Sequence, residues 1–309
     1  MIRRRPFLIK ALENTLTKLL LSLEFFDEEG RKKIAIATSR ILALRVGILA
    51  DHVLPILLDD RLIMKGTPLA FMTEMFKDYL STETVESLME LLRKARLEGR
   101  LLEFFPQQKR SWTDFNDHFV AAELPTLVEY TAKKLYEIHC RELTQIVVGS
   151  IASEDVPNQA ELMTTVKARK EEWQLADADT VKSIFLGIIE GVLSGSSGKN
   201  LQQTQFAVLK TLKQYHKLLA TFCTSPRLEA GLLATAQVTC YEDSRLLKLF
   251  KDMVKVMYDV DVVGEDAVRY WYAKGSNPKG RNVFLKDMEP FVNWLDEAEE
   301  EGEEEEEEG

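Results

Sequence analysis

The chain has 309 residues, 45% of them hydrophobic, with 40 basic and 50 acidic side chains and a formal charge of −10. That length and apolar content allow two domains of ordinary size, each with its own core. No apolar run reaches the ~18–20 residues a membrane span needs, and Lys10, Glu13 and Lys18 interrupt any signal-peptide core near the N-terminus. The chain reads as cytosolic, with no membrane partner.

The acidity is local. Eleven carboxylates lie between Asp296 and Gly309 with no basic residue among them, leaving 39 acidic against 40 basic residues in the rest. Such a segment repels itself and has nothing apolar to bury, so a disordered tail is expected. Cys140, Cys223 and Cys240 are odd in number and widely spaced. They read as reduced, buried thiols rather than a disulfide framework or a zinc ribbon.

In chain order, apolar residues recur at three- and four-residue spacing and no period-2 strand stands out. Leu8, Leu12, Leu16, Leu19 and Leu23 form one helix face. Ile34, Thr38, Ile41, Leu42 and Val46 form the next, opened by Asp27-Glu28-Glu29. Leu69, Met72 and Phe76 mark a third, and Val85, Leu88, Leu92 and Ala95 a fourth. Ser111-Trp112-Thr113-Asp114 resembles a capping box at the start of a helix through Phe115 and Phe119. A long amphipathic stretch runs from Leu127 to Ile151. Helices are then expected at 159–173, 179–193, 202–222, 227–241, 244–258 and 264–273, with a last one from Val283 into the tail. Ser194 to Asn200 reads as a flexible linker by composition. The fold class is all-α, an α-α superhelix of HEAT or armadillo type built from antiparallel helical pairs.

Nothing points to catalysis, a cofactor or a metal. There is no GxxxxGK[ST], no GxGxxG after a strand, no HExxH and no GxSxG. His52, His118, His139 and His216 form no ligand-spaced pair. The basic clusters at 31–33, 93–100, 109–110 and 133–134 alternate with acids, as a solvated face does, so no direct nucleic-acid partner is expected.

Two aromatic-acidic segments stand apart. One is Glu265-Asp266-Ala267-Val268-Arg269-Tyr270-Trp271-Tyr272; the other runs from Phe291-Val292-Asn293-Trp294 through Glu301. Three adjacent aromatics cannot all face one core, because successive helical residues rotate by about 100°. Trp294 shares a stripe with Phe291, Leu295 and Ala298, which predicts partial burial. Glutamates beside a tryptophan suit a lysine-rich partner, through Coulomb attraction and cation–π contact.

These segments, with Leu101-Leu102-Glu103-Phe104-Phe105-Pro106, resemble the basic leucine zipper and W-two domain proteins, also called initiation factor 5 mimics. The W-two domain is shared with initiation factor 5, the epsilon subunit of initiation factor 2B and initiation factor 4G. The resemblance covers essentially the whole chain. It implies a partial middle HEAT-like domain over 1–127, a W-two domain over 128–298 and an acidic tail over 299–309. It also implies a short form, since such proteins carry further residues upstream. Their leucine zipper finds no support in the heptad of Leu12, Leu19 and Phe26, which ends at Lys33.

By the resemblance, the protein is a translational regulator without GTPase-activating activity. It would bind a lysine-rich segment of the initiation factor 2 beta subunit, and initiation factor 3, in competition with factor 5. The residues implied in partner binding are Glu265, Asp266, Tyr270, Trp271, Trp294, Asp296, Glu297, Glu299, Glu300 and Glu301. A nucleotide-exchange subunit and an armadillo-type adaptor unrelated to translation are the alternatives.

Overall fold

The computed structural model describes residues 6–45, 47–152 and 158–307, with side chains described to residue 297. Among them there is no strand, and the fold is a helical solenoid. The chain divides into two compact units, residues 1–134 and 135–309. The division falls later than the expected 127/128. Val128 and Tyr130 still pack on the first core, while Tyr136 and Cys140 pack on the second.

The first unit opens with α1 (Pro6–Leu21), whose Leu16 and Leu20 are buried. Helix α2 (Glu28–Ala43) begins where Asp27 accepts a hydrogen bond from the Gly30 amide and ends before Val46, which lies outside the described residues. Three short pieces follow: α3 (Ala50–Val53), a 3-10 turn (Leu54–Leu58) and α4 (Asp60–Met64). Helix α5 (Thr67–Leu80) packs along α2, and α6 (Val85–Lys94) is capped by Thr84. After 3-10 turns at Glu98–Phe104 and Gln107–Lys109 comes α7 (Trp112–Ala121). The expected capping box is half present there: Ser111 accepts from the Asp114 amide, but Asp114 turns to the Ser111 hydroxyl instead of the backbone. Phe76, Phe105, Phe115 and Phe119 pack ring against ring behind it.

Helix α8 (Pro125–Ala152) carries the unit boundary. The second unit continues with α9 (Gln159–Glu172), α10 (Asp177–Ser194), α11 (Leu201–Gln214), α12 (His216–Phe222) and α13 (Pro226–Glu242). It closes with α14 (Phe250–Asp259), α15 (Glu265–Tyr270) and α16 (Arg281–Glu307).

Several expectations shift here. The helix foreseen over 202–222 is broken at Tyr215, whose buried ring anchors a turn between α11 and α12. The one foreseen from Ser244 starts only at Phe250, because Asp243 folds back on the Arg245 amide and guanidinium. Residues 194–200, expected as a flexible linker, are tied down at both ends: Asn200 and Gln203 close a full capping box, and Ser196 is buried. The backbone of α16 stays helical to Glu307, past the point where the disordered tail was foreseen. Glutamate is a good helix former, and the preceding turns are anchored.

Candidate protein-binding surface

The two aromatic-acidic segments are brought together by α14, α15 and α16. Helix α14 buries Phe250, Met253, Val254 and Met257 and ends in Tyr258-Asp259. A tight turn leads into α15, where the Gly264 amide donates to Glu229 Oε2 at 2.7 Å. Helix α15 passes into a single π turn over Trp271–Gly275. This widened turn sorts the three adjacent aromatics. Trp271 is fully buried, Tyr272 half-buried, and Tyr270 55% exposed.

Trp271 therefore offers no surface to a partner. Its ring packs 4.9 Å from Phe250, which packs 4.9 Å from Phe284 of α16. Its Nε1–H donates to Gln237 Oε1 at 3.0 Å. Gln237, on α13, is itself fully buried and also accepts from the Asn277 amide at 2.8 Å. Its Nε2 donates to the carbonyls of Asn277 and Lys279, both at 2.7 Å. All four hydrogen-bonding positions of the amide are used. The loop this holds ends at Gly280, φ +67°, where any Cβ would lie 2.6 Å from both Phe284 and Tyr241.

Trp294 takes the opposite course. It is 51% exposed, the partial burial its place on an apolar stripe predicts, with Phe291 and Leu295 buried behind it. Its ring stacks on Phe291 at 5.8 Å and meets Tyr258 edge-on at 6.3 Å. Lys255 lies 5.5 Å over the Phe291 ring.

The carboxylates divide into two groups. Glu265 accepts from the Tyr258 hydroxyl at 2.8 Å, which together with burial and the charges of Glu265, Asp259 and Asp261 pushes the phenol above its ordinary range. Asp296 pairs with Arg269 at 3.0 Å. Arg269 also donates to the Leu295 carbonyl and so clips α15 to α16. Both acids have partners within the protein, although Asp296 is exposed, as Asp266 and Glu297 are. Glu299, Glu300 and Glu301 lie beyond residue 297, outside the described side chains.

An open cleft of about 540 Å³ lies beside this array, lined by Glu229, Tyr258, Asp259, Asp261 and Glu265 among others. Tyr258 joins it to Trp294. Sequence reasoning passed over Tyr258, Asp259 and Asp261, although Tyr258-Asp259-Val260-Asp261 is itself an aromatic-acidic run. Glu229 carried no local signal, because only folding brings α13 to this turn. Asp266 and Tyr270 line a different groove, with Arg227 and Lys274. No described helix is long and apolar enough to cross a membrane, and no described group of side chains has metal-ligand character.

Comparison with known proteins gives this surface a lineage. A family model for the 5MP1/2 HEAT domain matches residues 1–141, and a model described as eIF4-gamma/eIF5/eIF2-epsilon matches residues 228–305, from α13 through α16. The chain is 33% identical over 309 residues to eIF5-mimic protein 2 of Gallus gallus, covering 100% of this chain and 72% of the relative. It is 33% identical over 308 residues to eIF5-mimic protein 1 of Danio rerio, with the same coverage. Against eIF5-mimic protein 2 of Homo sapiens it is 32% identical over 311 residues, again at 100% and 72%. The likeness runs through both units, and the chain belongs to the eIF5-mimic protein family.

Proposed function

We propose that the protein is a non-enzymatic translational regulator that mimics the factor-binding domain of eukaryotic initiation factor 5. It binds a lysine-rich segment of the initiation factor 2 beta subunit, and initiation factor 3, in competition with factor 5, and so tightens start-codon selection in the cytoplasm. The observation that carries this reading is the half-open Trp294 ring beside Tyr258 and its acidic cleft. An exposed indole face attracts an ammonium group, and the surrounding carboxylates raise the local concentration of a basic segment.

The roles within the site follow from exposure. Trp294, Glu297 and the exposed cleft carboxylates Asp259 and Asp261 meet the partner, and the tail glutamates 299–301 and 303–308 add long-range attraction. Trp271 acts by holding the π turn, and Arg269 by holding α16 against α15.

The test is direct binding of a labelled lysine-rich peptide to the full chain, with competition by factor 5. Replacing Glu299, Glu300, Glu301 and Glu303 to Glu308 with Gln should weaken binding. Wild-type affinity should fall steeply with salt, because exposed charges are screened beyond ~10 Å at 0.1 M. Salt-independent binding, or no displacement of factor 5, would remove the reading. Release of GDP from initiation factor 2 on adding this protein alone would favour a nucleotide-exchange role instead.

A further inference from the structure

Between Glu190 and Glu229 the sequence has no acidic residue, yet it holds Lys199, Lys210, Lys213, Lys217 and Arg227. Helix α11, inside this interval, buries Thr204, Val208 and Leu212 on one side. At 100° per residue, Gln202, Phe206, Lys210 and Lys213 fall within an arc of about 80° on the other side. Helix α12 begins after the turn at Tyr215 and carries Lys217 in its first turn. All three lysines are exposed, and Phe206 is 69% exposed. None of the three lysines has an ion pair among the described residues.

Helix-dipole complementarity accounts for Lys210 and Lys213, which lie towards the C-terminal end of α11. It does not account for Lys217, in the first turn of α12, where a cation is disfavoured. Nor does it account for an open phenyl ring in line with the charges. Like charges at three-residue spacing on one helix, as at Lys210 and Lys213, repel, and no carboxylate in the interval offsets them. The stripe thus differs from the other basic clusters, which alternate with acids.

We propose that this stripe binds single-stranded RNA, with Lys210, Lys213 and Lys217 on phosphates and a base stacked on Phe206. Lys210 and Lys213, three apart on one helix, stand ~5–6 Å apart at Cβ, a distance suited to neighbouring phosphates of an extended strand, and Lys217 follows beyond the Tyr215 turn. As point charges they neutralise phosphates without reading sequence. An aromatic face in line with a cationic track is the arrangement on which unpaired bases stack. An acidic protein segment could use the cations but leaves the open ring without a role. The proposal departs from the expectation of no direct nucleic-acid partner, and it uses none of the residues of the Trp294 surface.

The test uses the full chain and a fluorescein-labelled oligouridylate of about 12 residues, a length within the range single-strand sites cover. With three phosphate contacts, log K should fall against log salt with a slope of about −2. Joint Lys210→Gln, Lys213→Gln and Lys217→Gln should bring the slope near zero and weaken binding at low salt by about tenfold or more. Phe206→Ala should weaken binding roughly tenfold with the slope kept. Neither variant should change the melting temperature or the binding of a lysine-rich peptide. The proposal falls if the oligouridylate does not bind, or if the triple variant keeps its affinity and slope. Capture of an oligoglutamate peptide in its place would assign the stripe to an acidic protein segment.

Discussion

Gln237 and Trp271, 34 positions apart in sequence, meet in a buried hydrogen bond of 3.0 Å that ties α13 to the π turn after α15. The remaining positions on the same amide hold the 277–279 backbone. One side chain thereby sets where α16 begins, and hence where Trp294 emerges. Gln237→Leu would leave the indole N–H and three backbone groups without partners. At ~1–3 kcal/mol for each buried unsatisfied group, offset by water at the loop, a net loss of about 3 kcal/mol is expected. Thermal unfolding would measure it, and an unchanged melting temperature would dismiss the node.

Trp294→Ala should leave the protein folded. The ring is half exposed and its ordered contacts are Phe291 and Tyr258, so the cost is that of losing edge and stacking contacts, about 0.5–1.5 kcal/mol. Binding of the lysine-rich peptide should drop sharply while helical CD stays near wild type. A variant that is folded and binds normally would remove this helix from the functional centre.

Gly187 of α10 faces α8 at very close range. A Cβ there would lie 2.6 Å from Val147 Cβ and 2.8 Å from the Thr144 carbonyl, neither of which is the end of a flexible side chain. Gly187→Ala must force the two helices apart, with a loss of roughly 3 kcal/mol by overpacking. Gly149, where nothing lies within 4 Å, is the control: Gly149→Ala should be neutral or stabilising by denaturant titration.

The first unit should carry a pH dependence through His118. Its Nε2 lies 2.8 Å from the Thr73 hydroxyl, and that hydroxyl's single proton is directed to the Leu69 carbonyl. Nε2–H is then the donor, and the ring sits neutral against Phe105 and Phe119. Burial, with a lesser effect of Lys77, lowers its pKa below the ordinary 6.5. A lowered folded-state value means that the unfolded chain takes up the proton first. The contribution is therefore fully present above about 6.5 and is lost as pH falls through the folded value. Urea midpoints measured from pH 7.5 to 5 should decline for the wild type and flatten in His118→Gln. Parallel curves would show that His118 is not the group.

The all-α fold and most helix starts were legible in the sequence because they rest on local chemistry. The period of the apolar residues and the short polar side chains at Asp27 and Ser111 act within one turn of backbone. So was the pairing of aromatics with acids near the C-terminus, since composition alone concentrates them there. Trp271, three and four residues after Val268 and Ala267, reads from the sequence as the core residue with the tyrosines at its rim, and it is fully buried; what the sequence left open was how it is held, by the π turn together with Gln237 from α13. Trp294 shares its stripe with buried neighbours and is half outside, the partial burial that stripe predicts. The acidic cleft needed Glu229 to be carried from α13 to the turn after α14. The Lys210–Lys217 stripe became a face only when the opposite side of α11 was packed away. Periodicity reports which residues share a side of one helix. Which side meets another element, and what remains in water, is decided by contacts between residues far apart in the chain.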